Sequence, residues 1–178
     1  RVLFRSFCIL PCQRLGTFFP EFKEAAAWRK SGIDLLNREI KKQVYEDGGQ
    51  FELDPHYHLA CIEIFDKALQ MADANGFRQE FPQSFIDTVE RMIVFYMNIS
   101  YPDYLNPCFS DSKKDNKQHV LAHYRNWTKM YPENEQIRYF ATEGKEGKLP
   151  ANLSQGYLKS GFFTFRNSWK QDATVMVV

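Results

Sequence analysis

The residues best suited to chemistry follow one another in the segment Asp54-Pro55-His56-Tyr57-His58. Pro55 fits the first position of a helix, where its missing N–H costs nothing, and Asp54 is a suitable N-cap before it. Tyr57 and the two histidines would then lie in the first helical turn, where the helix dipole favours anionic ligands. The pattern indicates either a site for an anionic substrate or an ordinary connection between helices with polar caps.

Apolar residues at three- and four-residue spacing predict the two helices that flank this segment. The first runs from Glu21 to about Tyr45 and is ended by Gly48-Gly49. The second begins at Pro55 and stops at Asn75-Gly76. Its buried stripe is expected to consist of Ile62, Phe65, Leu69 and Ala72.

Three further helices are predicted in the second part of the chain. One follows Pro82, the next is capped by Asp111 or Ser112, and a short one follows Pro132. Their core residues are expected to be Phe85, Val89, Met92, Tyr96, Val120, Tyr124, Trp127, Tyr131, Ile137 and Phe140.

The character of the sequence changes after the last predicted helix. Thr142–Ser154 is rich in Gly, Lys and Glu and is typical of a linker. Beyond it, Tyr157–Arg166 and Ala173–Val178 lose the helical period and are rich in aromatic and β-branched residues, which predicts strands joined by residues 167–172. Helices followed by strands indicate a mainly α chain, with a helical domain and then a separate β domain.

Composition excludes several classes of protein. The 178 residues carry a net charge of +1, so the chain is not globally basic, and any anionic partner must be bound by a local cluster of cations. It has no long apolar run, and we expect no signal peptide within these residues, so that address signals would lie outside them. The four cysteines form no Cys-x-x-Cys pair, and Cys61 is expected to be a small core residue. We expect no metal site and no cofactor.

Several longer stretches resemble the heparinase II/III family, in particular the heparan-sulfate lyases of polysaccharide lyase family 12. The resemblance runs from about Thr17 to Val178. It is carried by Phe18–Glu24, Gln43–His58, Phe81–Thr88, Tyr101–Tyr104, Asn106–Asp111 and Gly161–Trp169, in the order of the family.

The resemblance implies a partial (α/α) toroid of helical hairpins followed by the first strands of an antiparallel β-sandwich. We expect residues 1–150 to be the C-terminal part of the toroid domain and residues 151–178 to begin the sandwich. It also implies an enzyme that cleaves heparan sulfate or a heparin-like glycosaminoglycan by β-elimination at uronate. That reaction needs a neutralised carboxylate, a base for the C5 proton and an acid for the departing O4.

The family's catalytic tyrosine matches Tyr57. A phenol with a pKa near ~10 suits the acid role, whereas a base at neutral pH would need cations or donors around it. His56, His58, Gln50 and Glu52 are the expected substrate-binding residues beside it. Glu52 with Asp54 could also suggest the two carboxylates of a glycosidase, although capping and loop solvation explain that pair equally well.

Two features depart from the family pattern. The carboxylate-neutralising Asn of the family has no match in residues 1–16, and its sandwich His would lie beyond Val178. The chain by itself is therefore expected to have little or no lyase activity. Its last predicted strand is apolar and unpaired, so the fragment is also expected to be poorly stable.

The remaining expectations concern partners and alternatives. The partner is expected to be an anionic, uronate-containing polysaccharide, with no nucleic acid and no membrane, and the protein is expected to be a monomer in the periplasm or secreted. The alternatives are a lyase for another uronate polymer such as alginate, a non-catalytic carbohydrate-binding toroid, and a helical interaction domain whose aromatic residues all belong to the core.

Overall fold

The computed structural model describes residues 11–178, in which helices are followed by a small antiparallel sheet. Residues 11–18 are helical. The elements that follow are α1 (Ala25–Gln43), α2 (Pro55–Ala74), a short 3₁₀ turn (Arg78–Glu80), α3 (Gln83–Ile99), α4 (Lys117–Met130), α5 (Glu135–Ala141), β1 (Gln155–Tyr157), β2 (Phe162–Arg166) and β3 (Val175–Val177). None of the helices described is long and apolar enough to cross a membrane.

The helix boundaries agree with the turn residues of the sequence at most positions. The helix α1 ends at Gln43, close to the predicted end, and an isolated bridge pairs Val44 with Gln50 across the loop. Gly48 has a φ of 95°, and a Cβ there would lie 2.6 Å from the carbonyl oxygen of Arg91. This close approach brings the loop between α1 and α2 against α3.

The predicted cap of the fourth helix is wrong. Asp111 and Ser112 precede α4 without capping it, and Asn116 is its N-cap, with its side chain accepting a hydrogen bond from the N–H of His119 at 2.9 Å. All of these residues are good caps, so composition alone does not select among them. The consequence is that Asp111 and Ser112 are available for contacts with α2.

The apolar faces of the helices meet in one core, as predicted. The expected stripe of α2 is fully buried, and Cys61 is buried beside it. The largest enclosed side chains are Trp127, Tyr96, Tyr124, Phe65, Phe85 and Phe95. Part of the high aromatic content therefore belongs to the core, whereas Phe18, Phe19, Phe22 and Trp28 are exposed.

The sheet has the order β1-β2-β3, and both pairs are antiparallel. The predicted strand Tyr157–Arg166 is wrong as one element, because it is divided between β1 and β2. Gly161, with a φ of 79°, ends a tight turn in which its N–H donates to the carbonyl oxygen of Tyr157 at 2.7 Å. A chain reversal here is required for the two strands to pair.

The sheet is held against the helices by aromatic and polar contacts. The ring of Phe95 on α3 lies 4.5 Å from Tyr157 and 5.4 Å from Phe162, measured between centroids. The Asp47 carboxylate accepts hydrogen bonds from the backbone N–H groups of Lys159 and Ser160, each at 2.8 Å. The loop before α2 is thus tied to the turn between β1 and β2.

Candidate active site at the start of helix α2

The first turn of α2 presents Tyr57 at the edge of the helical layer. One carboxylate oxygen of Asp54 accepts hydrogen bonds from the N–H of His56 at 2.8 Å and from the N–H of Tyr57 at 3.0 Å. Asp54 is therefore the N-cap of α2, as predicted, and Pro55 occupies the first turn. Leu53, directly before the cap, has a left-handed backbone with a φ of 55°, which is uncommon for a residue other than glycine.

The hydroxyl of Tyr57 meets the carboxylate of Asp111, with 3.2 Å between the two oxygens. This hydrogen bond and the charge of Asp111, together with smaller contributions from Asp54 and Glu52, raise the pKa of Tyr57 above its usual value. The pKa of Asp111 is lowered, first by its own backbone N–H and then by the Tyr57 hydroxyl. At neutral pH the pair is therefore a protonated phenol beside an ionised carboxylate.

Asp111 is positioned by a buried asparagine in the loop between α3 and α4. The amide of Asn106 donates to the carbonyl oxygens of Pro107 and Lys113, each at 3.1 Å, and to the Ser112 hydroxyl at 3.2 Å. The hydroxyl of Ser112 in turn accepts the N–H of His56 at 3.1 Å. These bonds dock the loop on the first turn of α2 and place Asp111 opposite Tyr57.

The side chain of His58 is buried. Its Nε2 lies 2.9 Å from the carbonyl oxygen of Met92 on α3, and its Nδ1 lies 3.2 Å from the N–H of Gln50. A neutral ring that donates through Nε2 and accepts through Nδ1 satisfies both contacts. Burial lowers the pKa of His58 to about 4, so the ring stays neutral and joins the loop, α2 and α3.

The other predicted substrate-binding residues differ in exposure, since one is buried and two are partly exposed. Gln50 is buried, and its side-chain oxygen accepts the N–H of Glu52 at 2.9 Å. Glu52 and His56 are partly exposed and border the same helix start as Tyr57. The roles of Gln50, Glu52, His56 and His58 in binding substrate stay predictions, whereas their structural contacts hold the loop in place.

Sequence reasoning missed Asp111, Asn106 and Ser112 as parts of this site. Asp111 and Ser112 were considered as helix caps, and Asp111 also as part of a stretch that resembles the family, but neither was assigned to the site. Both lie more than fifty residues from Tyr57 in the chain. A usable signal was the pair of prolines in residues 100–110, because a long non-helical loop must place its polar groups against something. The fold brings these residues to Tyr57 through long-range contacts that periodicity does not encode.

The fold defines the class of protein. Helical hairpins that lead into a small antiparallel sheet are typical of a partial (α/α) toroid followed by the first strands of a β-sandwich. A family model described as the heparinase II/III N-terminus matches residues 7–139. The chain belongs to the heparinase II/III family.

Relatives agree with this placement. A heparin-sulfate lyase of Bacteroides stercoris is 71% identical over 163 residues, which are 92% of this chain and 24% of that protein. A heparin-sulfate lyase of Pedobacter heparinus is 50% identical over 163 residues, 92% of this chain and 25% of the relative. The chain thus spans about a quarter of the length of these relatives.

Solved structures of the family have the same fold. A structure of a heparinase III superposes with a TM-score of 0.91 at 66% identity, covering 96% of this chain and 27% of that one. The heparan sulfate lyase HepC from Pedobacter heparinus superposes with a TM-score of 0.89 at 48% identity, with the same coverage. The predicted fold class is confirmed.

Proposed function

We propose that this chain forms part of a lyase that cleaves heparan sulfate, or a heparin-like glycosaminoglycan, by β-elimination at uronate. Tyr57 is the proton donor to the departing O4 oxygen. The observation that carries this proposal is the hydrogen-bonded pair of Tyr57 and Asp111 at the first turn of α2. Family membership and the activities in the names of the relatives support the substrate class.

The surroundings of Tyr57 favour the acid role over the base role. A base must lose its proton before the reaction, and a phenolate beside Asp111 would be repelled by the carboxylate. The raised pKa instead keeps the proton on Tyr57 until a better acceptor arrives. When the glycosidic bond breaks, the oxygen leaves with an electron pair and can take that proton, so the Tyr57 hydroxyl exchanges Asp111 for the leaving group.

The same acidic surroundings restrict where the uronate carboxylate can bind. Asp111, Glu52 and Asp54 all contribute negative charge around Tyr57, which would repel a second anion placed among them. We therefore propose that the uronate carboxylate is bound by groups other than these three. The base that removes the C5 proton is likewise a separate group.

The test is Tyr57→Phe in the full-length protein, followed by the ultraviolet absorbance of the unsaturated uronide product. The substitution keeps the ring and removes the hydroxyl, so kcat on heparan sulfate should fall by about 10²–10⁴-fold with little change in KM. Tyr45→Phe is the matched control, since it removes the hydroxyl of another partly exposed tyrosine, in the turn that follows α1, and should leave kcat unchanged.

Three outcomes would change the proposal. Retention of more than about a third of kcat by Tyr57→Phe, far outside the range for a lost general acid, would exclude Tyr57 as the donor. Turnover of alginate in place of heparan sulfate would keep the mechanism and replace the substrate. Binding of heparan sulfate without any product would support the non-catalytic alternative.

A further inference from the structure

A second group of polar side chains lies between the helices α2 and α4. His119 and His123 are four residues apart on α4, so their side chains lie on the same face of the helix. Glu63 on α2 faces them. Among the described residues these three form a group whose candidate ligand atoms all lie within 4.8 Å of one another.

The separations within this group match those of metal ligands. The Nε2 atoms of His119 and His123 are 3.1 Å apart, and Oε1 of Glu63 lies 3.2 Å from Nε2 of His123 and 3.9 Å from Nε2 of His119. A triangle with these sides has a point about 2.0 Å from all three corners, which is the usual zinc–nitrogen and zinc–oxygen distance. The three atoms therefore need almost no rearrangement to bind one ion.

The neighbouring contacts orient the ligands as metal sites require. The Nδ1 of His119 is 2.7 Å from a carboxylate oxygen of Asp115, which directs the ring and leaves Nε2 as the free donor atom. Lys67 holds the second carboxylate oxygen of Glu63 at 3.0 Å and leaves Oε1 for the ion. The ring of His123 is stacked on Trp127 with 5.6 Å between centroids, which restricts its rotation.

An arrangement without an ion satisfies these atoms less completely. One proton can be shared between the two Nε2 atoms or donated to Glu63, but a single proton cannot serve all three contacts. A divalent cation at the centre accepts electron pairs from all three atoms.

We propose that Glu63, His119 and His123 bind a divalent first-row transition metal of the zinc type. Two imidazoles and a carboxylate are ligands that suit this class of ion and disfavour magnesium or calcium, which prefer oxygen ligands. The fourth position faces outward, since the side chain of His119 is 47% exposed, and takes a water molecule. The ion joins α2 to α4 and so braces the layer that carries Tyr57 and Asp111.

The test uses the full-length protein, stripped with a chelator and titrated with Zn²⁺ by calorimetry and with Co²⁺ by visible absorption. Wild type should bind one equivalent more than the double variant His119→Gln/His123→Gln, and this equivalent should give the intense Co²⁺ bands of a four-coordinate site. Glu63→Gln should weaken the affinity at least tenfold. Asp115→Asn, which changes only the group that orients His119, should weaken it by about 10–100-fold.

Asp73→Asn is the matched control, because it neutralises another carboxylate on α2, in a salt bridge with Arg78, and should leave the stoichiometry unchanged. Circular dichroism of each chelated variant establishes that its fold equals that of chelated wild type. Equal stoichiometry in wild type and the double histidine variant would overturn the proposal and leave the group as an ion-pair network. Loss of an equivalent in Asp73→Asn would also overturn it, since binding would then not depend on the three ligands.

Discussion

The buried histidine beside the candidate site should make stability depend on pH in a defined direction. The pKa of His58 is lowered to about 4 in the folded protein, against an ordinary value of about 6.5 in the unfolded chain. Between these two pH values the His58 ring is protonated in the unfolded chain but stays neutral in the folded protein. The stabilisation from neutral His58 is therefore fully present above about pH 6.5 and is lost as the pH falls towards 4.

A buried carboxyl group opposes this effect. Burial raises the pKa of Asp66 on α2 to about 6, against an unfolded value of about 3.9. Here the folded protein takes up the proton first, so Asp66 adds stability as the pH falls through 6. Between about pH 7 and about pH 4.5, linkage gives a loss of about 2 kcal/mol from His58 and a gain of about 2 kcal/mol from Asp66. The two nearly cancel in the wild-type protein.

Single substitutions should separate the two contributions. His58→Gln should make the protein more stable at about pH 4.5 than at about pH 7, by about 2 kcal/mol relative to wild type, because Asp66 then acts alone. Asp66→Asn should shift the difference by a similar amount in the opposite direction. Groups that interact with neither His58 nor Asp66 contribute equally in all three proteins and cancel in the comparison.

The assay is urea unfolding of the three proteins at several pH values, followed by circular dichroism. The reasoning is refuted if His58→Gln and wild type have parallel pH profiles, or if the two variants shift in the same direction. A low overall stability of His58→Gln at every pH does not affect the comparison, since the prediction concerns the difference between pH values. Loss of the contacts to Gln50 and Met92 contributes a pH-independent decrease.

Three further substitutions test the contacts that build the site and the core. Asp54→Ala removes the cap of α2 and should lower the free energy of unfolding by about 1–2 kcal/mol in urea denaturation, whereas Asp54→Ser, which keeps a capping oxygen, should recover most of it. Asp47→Ala removes the acceptor for the N–H groups of Lys159 and Ser160, so it should lower the free energy of unfolding by about 1–3 kcal/mol. Proteolysis of residues 142–154 should become faster, and an unchanged rate of cleavage would contradict this prediction. Leu69→Ala in the closed core should cost about 2–5 kcal/mol, and a loss below about 1 kcal/mol would mean that the core refills the space.

Much of the helical layer could be predicted because its signals are local. The stripe of α2 and the cap and proline that start it depend on neighbouring residues within a few turns. The start of α4 could not be chosen from sequence, because Asp111, Ser112 and Asn116 are all suitable caps. The turn between β1 and β2 had a local signal in Ser160-Gly161, which was missed because the aromatic residues Tyr157 and Phe162 on either side favoured one continuous strand.

The candidate site likewise contains residues that local sequence predicts and residues that only the fold brings in. Tyr57 was found through a motif and its helix start, both contiguous in sequence. Asp111 reaches Tyr57 only because the loop between α3 and α4 folds back on α2, and this return is fixed by the buried side chain of Asn106. In the proposed metal site, the four-residue spacing of His119 and His123 on one helix was a readable signal. The third ligand, Glu63, could not be assigned from sequence because it comes from another helix.

Tyr57 combines two properties that usually conflict, an accessible hydroxyl and a fixed position. Its own side chain contributes little to the second, since the hydroxyl has one protein partner and lies at the surface. The position is instead fixed from below, by the Asp54 cap at the backbone of Tyr57 and by His58, one residue further, in the interior. Because the restraints act on the backbone and on neighbouring side chains, the proposed mechanism requires no movement of the helix when the phenol exchanges Asp111 for a leaving oxygen. An acid catalyst needs that combination, because a proton is transferred well only over a short and reproducible distance.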